Sequence, residues 1–378
     1  HTAEEEVFIF GNPPYLGSNL KSEEQKEDTK FVFNNESGTN ILDFIANWFY
    51  LGSKYIKGSS AQCGFVSTNS ICQGEQVSAL WHRIFSMGVR IHFAYKPFKW
   101  NNNAKYNAAV ICIIVGLSSN KDKESLIFDG EQKILTKAIS PYLSLNTETI
   151  VYKRTNPLDK RYPKLSFGSM PNDGGFLLLS EDEKNELIET DGLAQQYIKQ
   201  FMGSKEFIRG EKKYCLWITS SSFKEASTIN QIRRRIQSVH AYRLNSKRTS
   251  TNKLAEVPYS FGECRYESKN AIIIPATSSE RRRYIPMGFL DKDVVISNSA
   301  FALYDATFWL FGILTSHMHM VWVDAIGGKL EGRYRYSVSL CYNTFPFPKL
   351  TNKQKEDLEG LAQEVLLVRE NHTEKTLA

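Results

Sequence analysis

The sequence predicts an α/β fold for its first third, followed by a region of mixed helix and strand and a helix at the C-terminal end. Three observations carry this. Between residues 7 and 117, strand-like apolar runs alternate with stretches of helical apolar spacing. From about residue 118 to 175 this pattern gives way to turn-rich sequence, including Asn156-Pro157, Tyr162-Pro163 and Met170-Pro171-Asn172-Asp173-Gly174-Gly175. Positive charge is concentrated beyond that. Residues 205–290 hold 17 Lys and Arg against 7 Asp and Glu, whereas residues 1–200 hold 21 against 23 and residues 291–378 hold 9 against 11.

With 378 residues, 42% of them hydrophobic, the chain is long enough for two globular domains. No apolar run approaches the ~18 residues of a membrane span, and no signal peptide is visible. The six cysteines include no Cys-x-x-Cys pair and no zinc-like spacing. A reduced, cytoplasmic setting without a membrane or a metal is expected. The basic block between near-neutral flanks points to a polyanion as partner.

The first strand, Val7-Phe8-Ile9-Phe10-Gly11, is expected to be short and buried. It runs into Asn12-Pro13-Pro14-Tyr15. Each proline fixes its own φ and lacks an N–H, and Pro14 presses Pro13 into an extended conformation. The strand end therefore presents two hydrogen-bond acceptors, the Asn12 side-chain oxygen and the Pro13 carbonyl, followed by the flat face of Tyr15. An amino group on a conjugated ring is a poor nucleophile because its lone pair is delocalised. Two acceptors that bind its two N–H protons localise that pair towards an electrophile, while an aromatic ring stacks on the base. The bland reading of the same residues is a proline-stiffened loop with a satisfied asparagine.

Residues 18–40 are polar and read as a loop or a solvated helix. Leu42, Ile45, Phe49 and Ile56 follow helical spacing, and Gly64-Phe65-Val66-Ser67-Thr68 reads as a buried strand. Val77, Leu80, Trp81, Ile84 and Phe85 make the next helix, stopped by Gly88. Two strands follow, over 89–95 and 108–117. In such sheets catalytic groups gather at the carboxyl ends of strands, where Asn12 and Asn69 both fall. Between the last two strands, residues 96–105 combine aromatic, basic and polar side chains. A base inside a duplex must flip out to reach a catalytic site. Phe98 or Trp100 would then give the second stacking face opposite Tyr15, and Lys99 and Lys105 would hold phosphates.

Further on, Ser180 and Glu183 form a capping box for a helix through Leu187, Ile188, Leu193, Tyr197 and Phe201. Tyr214 to Ile218 reads as a strand. Residues 223–242 read as a helix with Ile229, Ile232, Ile236 and Val239 as its apolar stripe. Arg233 and Arg235 flank the stripe, Arg234 lies opposite, and His240, Arg243, Lys247 and Arg248 extend the charge. A second basic group, Arg281, Arg282 and Arg283, follows the strand 271–275, with Ser278 and Ser279 as hydroxyls suited to phosphate. Residues 300–327 are apolar and read as helical. His317 and His319 sit two apart there, which on a helix points them to different faces and argues against a metal site. Arg333 and Arg335 alternate with Tyr334 and Tyr336 on an expected strand that could face DNA. All these cations are candidate DNA contacts, whether to phosphates, which position a protein, or to bases, which specify sequence.

Asn12-Pro13-Pro14-Tyr15 resembles the catalytic motif of amino-methyltransferases that use S-adenosylmethionine, above all the N6-adenine DNA methyltransferases. Gly64 to Ser70, Phe98 to Lys105, Phe167 to Gly175 and Ser278 to Tyr284 extend the likeness along nearly the whole chain. In that order they resemble the MmeI kind of type II restriction–modification enzyme. The resemblance implies a partial Rossmann-like methyltransferase domain over 1–140, an α+β DNA target-recognition domain over 141–345 and the start of a C-terminal helical region over 346–378. It implies site-specific adenine-N6 methylation of double-stranded DNA, with Asn12, Pro13, Pro14 and Tyr15 at the amino group and Phe98 the closer match for the flipped base.

In that family the glycine-rich loop of the cofactor half precedes the catalytic motif. Only eleven residues stand before Asn12. Most of the S-adenosylmethionine pocket is therefore expected in a missing N-terminal part, and the chain alone is expected to be inactive. The family's nuclease also lies towards its N-terminus; Glu131-Gln132-Lys133 and Glu211-Lys212-Lys213 are too short to identify one here. The same amino-group chemistry suits RNA or a protein glutamine, and a basic surface alone suits a non-catalytic DNA-binding module. The extended basic region favours duplex DNA.

Overall fold

The computed structural model describes residues 6–100, 110–120, 124–330 and 332–378. The chain forms two compact units, His1–Thr155 with Trp322–Phe345, and Asn156–Val321 with Pro346–Ala378. The division is therefore not a single cut near residue 140, because a late segment folds back into the first unit.

The first unit is built on a six-stranded mixed sheet of β1 (Phe8–Gly11), β2 (Gln62–Thr68), β3 (Arg90–Trp100), β4 (Val110–Ser118), β5 (Ser125–Asp129) and β6 (Gln132–Thr136), in the order β1-β2-β4-β3-β5-β6. β1 and β2 are parallel, β4 runs antiparallel to both β2 and β3, and β5 is parallel to β3. The helices α1 (Glu23–Val32), α2 (Ala46–Ile56) and α3 (Gly74–Ser86) lie between β1 and β3 in sequence. Leu42, Ile45, Phe49 and Ile56 on one side, and Val77, Leu80, Trp81 and Ile84 on the other, enter one core with Ile113, Val115 and Leu117 of β4. The polar stretch after the first strand does hold a helix. Ser22 and Gln25 form a capping box at its start, which satisfies backbone N–H groups that the first turn leaves over.

β4 carries Gly116 opposite Phe93 of β3. A Cβ there would fall 2.0 Å from the Phe93 ring, so only glycine lets the ring lie flat on the strand. The late segment returns with a hairpin of Gly328–Leu330 and Arg333–Arg335. It is tied to the first unit by backbone and side-chain hydrogen bonds. Arg154 N–H donates to the Ser339 carbonyl (2.9 Å), Asn343 Nδ2 donates to the Arg154 carbonyl (2.9 Å), and Ser339 Oγ donates to Glu75 Oε1 (3.1 Å).

Among the described residues β1 is at the edge of the sheet, with one face packed. Val7 and Ile9 pack against the core, while Phe8 and Phe10 point the other way and are 59% and 85% exposed. Four apolar residues in a row fit a buried strand, but alternation decides which of them reach the core.

The second unit holds two four-stranded sheets. One is ordered Val294–Ile296, Ile198–Met202, Tyr214–Leu216, Leu178–Leu179; the other Gly288–Leu290, Ala271–Pro275, Ala300–Tyr304, Ser166–Phe167. The capping box of Ser180 and Glu183 is present, yet its helix ends at Thr190. Asp191 adopts an extended conformation and its side chain accepts the Leu193 N–H (3.0 Å), starting a new turn that leads into the strand 198–202. Leu193, Tyr197 and Phe201 thus belong to other elements than Leu187. The apolar run 300–327 also divides, into the strand Ala300–Tyr304 and the helices Phe308–Leu314 and His317–Ile326. The helix with the arginine cluster is Asn230–Leu244, preceded by a separate short turn of helix at Phe223–Ala226.

Candidate functional site

In the first unit four strands end or begin at one edge of the sheet. β1 and β2 are parallel, so Gly11 and Thr68 finish on the same side. β4 runs the other way and starts there: Thr68 and Phe98 flank Cys112 in the ladder. β3 reaches the same edge through a register shift between Tyr95 and Phe98, a bulge that re-aims its last three residues. Asn12-Pro13-Pro14-Tyr15 leaves β1 directly onto this edge. Asn12 and Pro14 are exposed and Tyr15 is half-buried against the core.

The Tyr15 hydroxyl lies 3.9 Å from Cys112 Sγ. Burial raises the Tyr15 pKa above its ordinary value, with the Cys112 thiol adding to it, and burial likewise raises the thiol's. Both shifts favour the neutral forms, so this pair presents apolar and hydrogen-bonding surface. Phe98 is the cross-strand neighbour of Cys112, so Tyr15, from the turn after β1, and Phe98, from β3, approach the same residue. Phe98 is half-buried and Trp100, 40% exposed, stands 6.1 Å from it between ring centroids. Lys99 is exposed between them. Lys105 lies outside the described residues. Cys112 had no signal in the sequence beyond an apolar run; only the register reveals it as the neighbour of both aromatics.

The basic candidates of the second unit separate into two kinds. Arg234, Lys247 and Arg248 are exposed, and none makes an ion pair to a described residue. Arg233 is exposed as well, with one hydrogen bond from Nη2 to Asn230 Oδ1 (3.3 Å). An open cavity of about 550 Å³ lies along the same helix, lined by Phe176, Ser238, Ala241, Tyr242, Asn245 and Ser246. Arg281 and Arg283 are exposed, the latter over the Tyr284 ring at 5.5 Å. Ser279 accepts the Arg281 N–H (3.2 Å), and Arg282 Nε donates to the Leu377 carbonyl (3.0 Å). On the first unit's hairpin, Arg333 and Arg335 are exposed and share one face, with Tyr336 buried on the other.

Three candidates are corrected. Arg243 is fully buried, and all five of its N–H donors are used on backbone carbonyls. Nε donates to Asn172 (3.0 Å), Nη1 to Leu254 and Val257 (both 2.9 Å), and Nη2 to Pro171 (3.0 Å) and Ser260 (2.7 Å). It is a clasp for two loops, and no DNA contact is open to it. Arg235 donates to the Phe176 and Leu178 carbonyls and to Glu183 Oε1 (2.6 Å), so it joins its helix to the strand and helix before it. Ser278 is buried, which removes it from a phosphate-facing surface. Charge pattern along a helix does not tell a solvated arginine from one that gathers carbonyls.

The first 129 residues match the family model for the MmeI DNA-methyltransferase domain, and residues 146–349 match that for the MmeI target recognition domain. This chain belongs to the MmeI family. It is 45% identical over 367 residues to the DNA methyltransferase A of Bacillus subtilis (strain 168), covering 97% of this chain and 42% of that protein. It also superposes on the type IIL restriction–modification enzyme MmeI in complex with DNA, with a TM-score of 0.90 and 37% identity over 98% of this chain and 50% of that one. The chain thus spans half or less of the length of these relatives and combines an MmeI-like methyltransferase domain with a target-recognition domain. Among the described residues no helix is long and apolar enough to cross a membrane, and no group of three His, Cys, Asp or Glu side chains is placed to hold a metal.

Proposed function

We propose that this chain is the base-handling and DNA-reading part of a longer restriction–modification polypeptide that methylates the N6 amino group of adenine in duplex DNA, in the cytoplasm. The observation that carries the reading is the convergence of Tyr15, the last residue of Asn12-Pro13-Pro14-Tyr15, and Phe98 on Cys112 at one edge of the sheet. An adenine rotated out of the duplex enters between Tyr15 and Phe98, with Trp100 at the rim. Its two N6–H protons are held by the Asn12 side-chain oxygen and the Pro13 carbonyl. With both protons bound, the nitrogen lone pair turns away from the ring and can attack a methyl group. Lys99, Arg233, Arg234, Lys247, Arg248, Arg281, Arg283, Arg333 and Arg335 are exposed and are the candidate contacts to the DNA backbone and base edges.

S-adenosylmethionine would supply the methyl group. The described residues do not make up its pocket. Among the described residues the second edge of β1 has no partner strand, and no glycine-rich turn with a following acidic residue leads into a helix. On this reading the cofactor half belongs to a part of the longer polypeptide N-terminal to this chain, which fits a chain that spans half or less of its relatives. The purified chain alone is expected to methylate DNA poorly.

The test is Asn12→Ala in the full-length enzyme. Methylation of adenine in a target duplex should fall by ~10²–10³-fold, the loss typical of removing one preorganised partner of the reacting group, with DNA affinity kept. Unchanged methylation would refute the assignment.

A further inference from the structure

One buried carboxylate in the first unit has no place in the chemistry above, although it touches both strand ends that frame the site. Asp43 precedes α2 and is only 4% exposed. Its Oδ1 accepts the Leu16 N–H (2.7 Å) and the Ile45 N–H (3.3 Å). Its Oδ2 accepts Ser70 Oγ (3.1 Å) and Thr68 Oγ1 (3.4 Å), and those two hydroxyls are 2.7 Å apart. The Ile45 contact is a local turn ahead of α2, of the kind an Asp side chain makes with the N–H two residues on. The other three are not needed for that.

Leu16 is the residue immediately after Tyr15. Its N–H is held by Asp43, and its carbonyl accepts the Phe44 N–H (3.0 Å). Both backbone groups of Leu16 are thus fixed to the Asp43-Phe44 segment. Thr68 and Ser70 bracket Asn69 at the end of β2. The Asp43 backbone N–H is in turn held by Gln76 Oε1 of α3 (2.9 Å). A carboxylate is costly to bury unless donors surround it. Here the donors come from the exit of the Asn-Pro-Pro-Tyr turn and from the end of the neighbouring strand.

We infer that Asp43 is a positioning residue for methyl transfer, locking the exit of the Asn12–Tyr15 turn to the end of β2 so that the Asn12 oxygen and Pro13 carbonyl keep their places opposite the amino group. The inference rests on the base-handling role given to Asn12 above. Prolines stiffen the turn from within, and the β1–β2 ladder fixes its entrance, with Gly11 opposite Phe65. Asp43 supplies the second restraint, at the exit.

The experiment compares three variants of the full-length enzyme in single-turnover methylation at saturating DNA and S-adenosylmethionine, with DNA affinity and thermal midpoint measured in parallel. Asp43→Asn keeps one acceptor for Leu16 but turns a donor towards the two hydroxyls. Its turnover rate should fall by ~10–100-fold, as sub-ångström misplacement of a reacting group does, with DNA Kd and KM unchanged. The pair Thr68→Val with Ser70→Ala removes the same hydroxyl contacts without touching the carboxylate. It should show the same split to a smaller degree, and it keeps the test open if Asp43 variants fold poorly. Wild-type turnover in both variants would overturn the inference. So would a loss of rate and of DNA affinity in step with a lowered midpoint, since that is what a purely structural role predicts. Asn12→Ala is the third variant. If it is active, the base-handling reading itself fails; if it is inactive while Asp43→Asn and the hydroxyl pair are active, only the role of Asp43 does.

Discussion

Asp43 in the first unit and Arg243 in the second are both buried charges, and the two are used in opposite ways. In the first unit Asp43 gathers donors from three places: the turn after Tyr15, the end of β2 and the start of α2. In the second, Arg243 gathers five carbonyls from the Pro171-Asn172 loop and from residues 254–260. The anion collects N–H and O–H groups and the cation collects C=O groups. Both solve one problem, since loops cannot be brought together without partners for their backbone polar groups. The difference lies in what the loops carry. Around Asp43 they carry Asn12-Pro13-Pro14-Tyr15, the proposed base-handling motif. Around Arg243 they carry Asp173, Gly174 and Phe176, beside the open cavity next to Tyr242. A buried charge in a site of this kind is better read as a builder of the surface than as part of it.

Arg243→Ala should lower stability by about 3 kcal/mol or more, because several buried carbonyls lose their donors at once. Urea unfolding of the chain would measure it. Arg243→Lys sharpens the comparison. It keeps the charge but offers three donors in place of five, so most of the loss should remain. Full stability in Arg243→Lys would mean that the charge and not the guanidinium geometry matters.

Stacking is the next effect in size. Phe98→Ala should weaken binding of a duplex with an unpaired target adenine by about 1–3 kcal/mol, the usual worth of one base–aromatic stack. Trp100→Ala, at the rim, should cost less. Equal losses at both positions, or a larger loss at Trp100, would move the base away from Cys112. The smallest effects belong to the exposed cations. Replacing Arg234, Lys247 or Arg248 by Ala should each reduce the slope of log affinity against log salt by about 1 if it contacts a phosphate. Arg235→Ala should leave that slope unchanged and lower stability slightly instead.

Much of the first unit was legible in the sequence, since alternating apolar spacings locate β2, α2, α3 and β4 and since Asn-Pro-Pro-Tyr after a strand is chemically unusual. Which residues of β1 reach the core of this unit is set by alternation, which a run of apolar residues does not reveal. The role of Asp43 was not legible, because its partners lie 25 to 27 positions away on either side and only the fold brings them together. Arg243 and Arg235 were misread for a related reason. Sequence records that an arginine is present, but not whether carbonyls or solvent surround it. In the second unit the break at Asp191 came from a side chain bonding its own backbone, a local alternative that competes with helix continuation.

The most direct test of the central claim, that the chain reads duplex DNA around an adenine, is to incubate it with a random duplex library and sequence what stays bound at moderate salt. The account predicts enrichment of one short adenine-containing motif, lost together with overall retention as salt is raised. Retention without enrichment, or no retention, would contradict it.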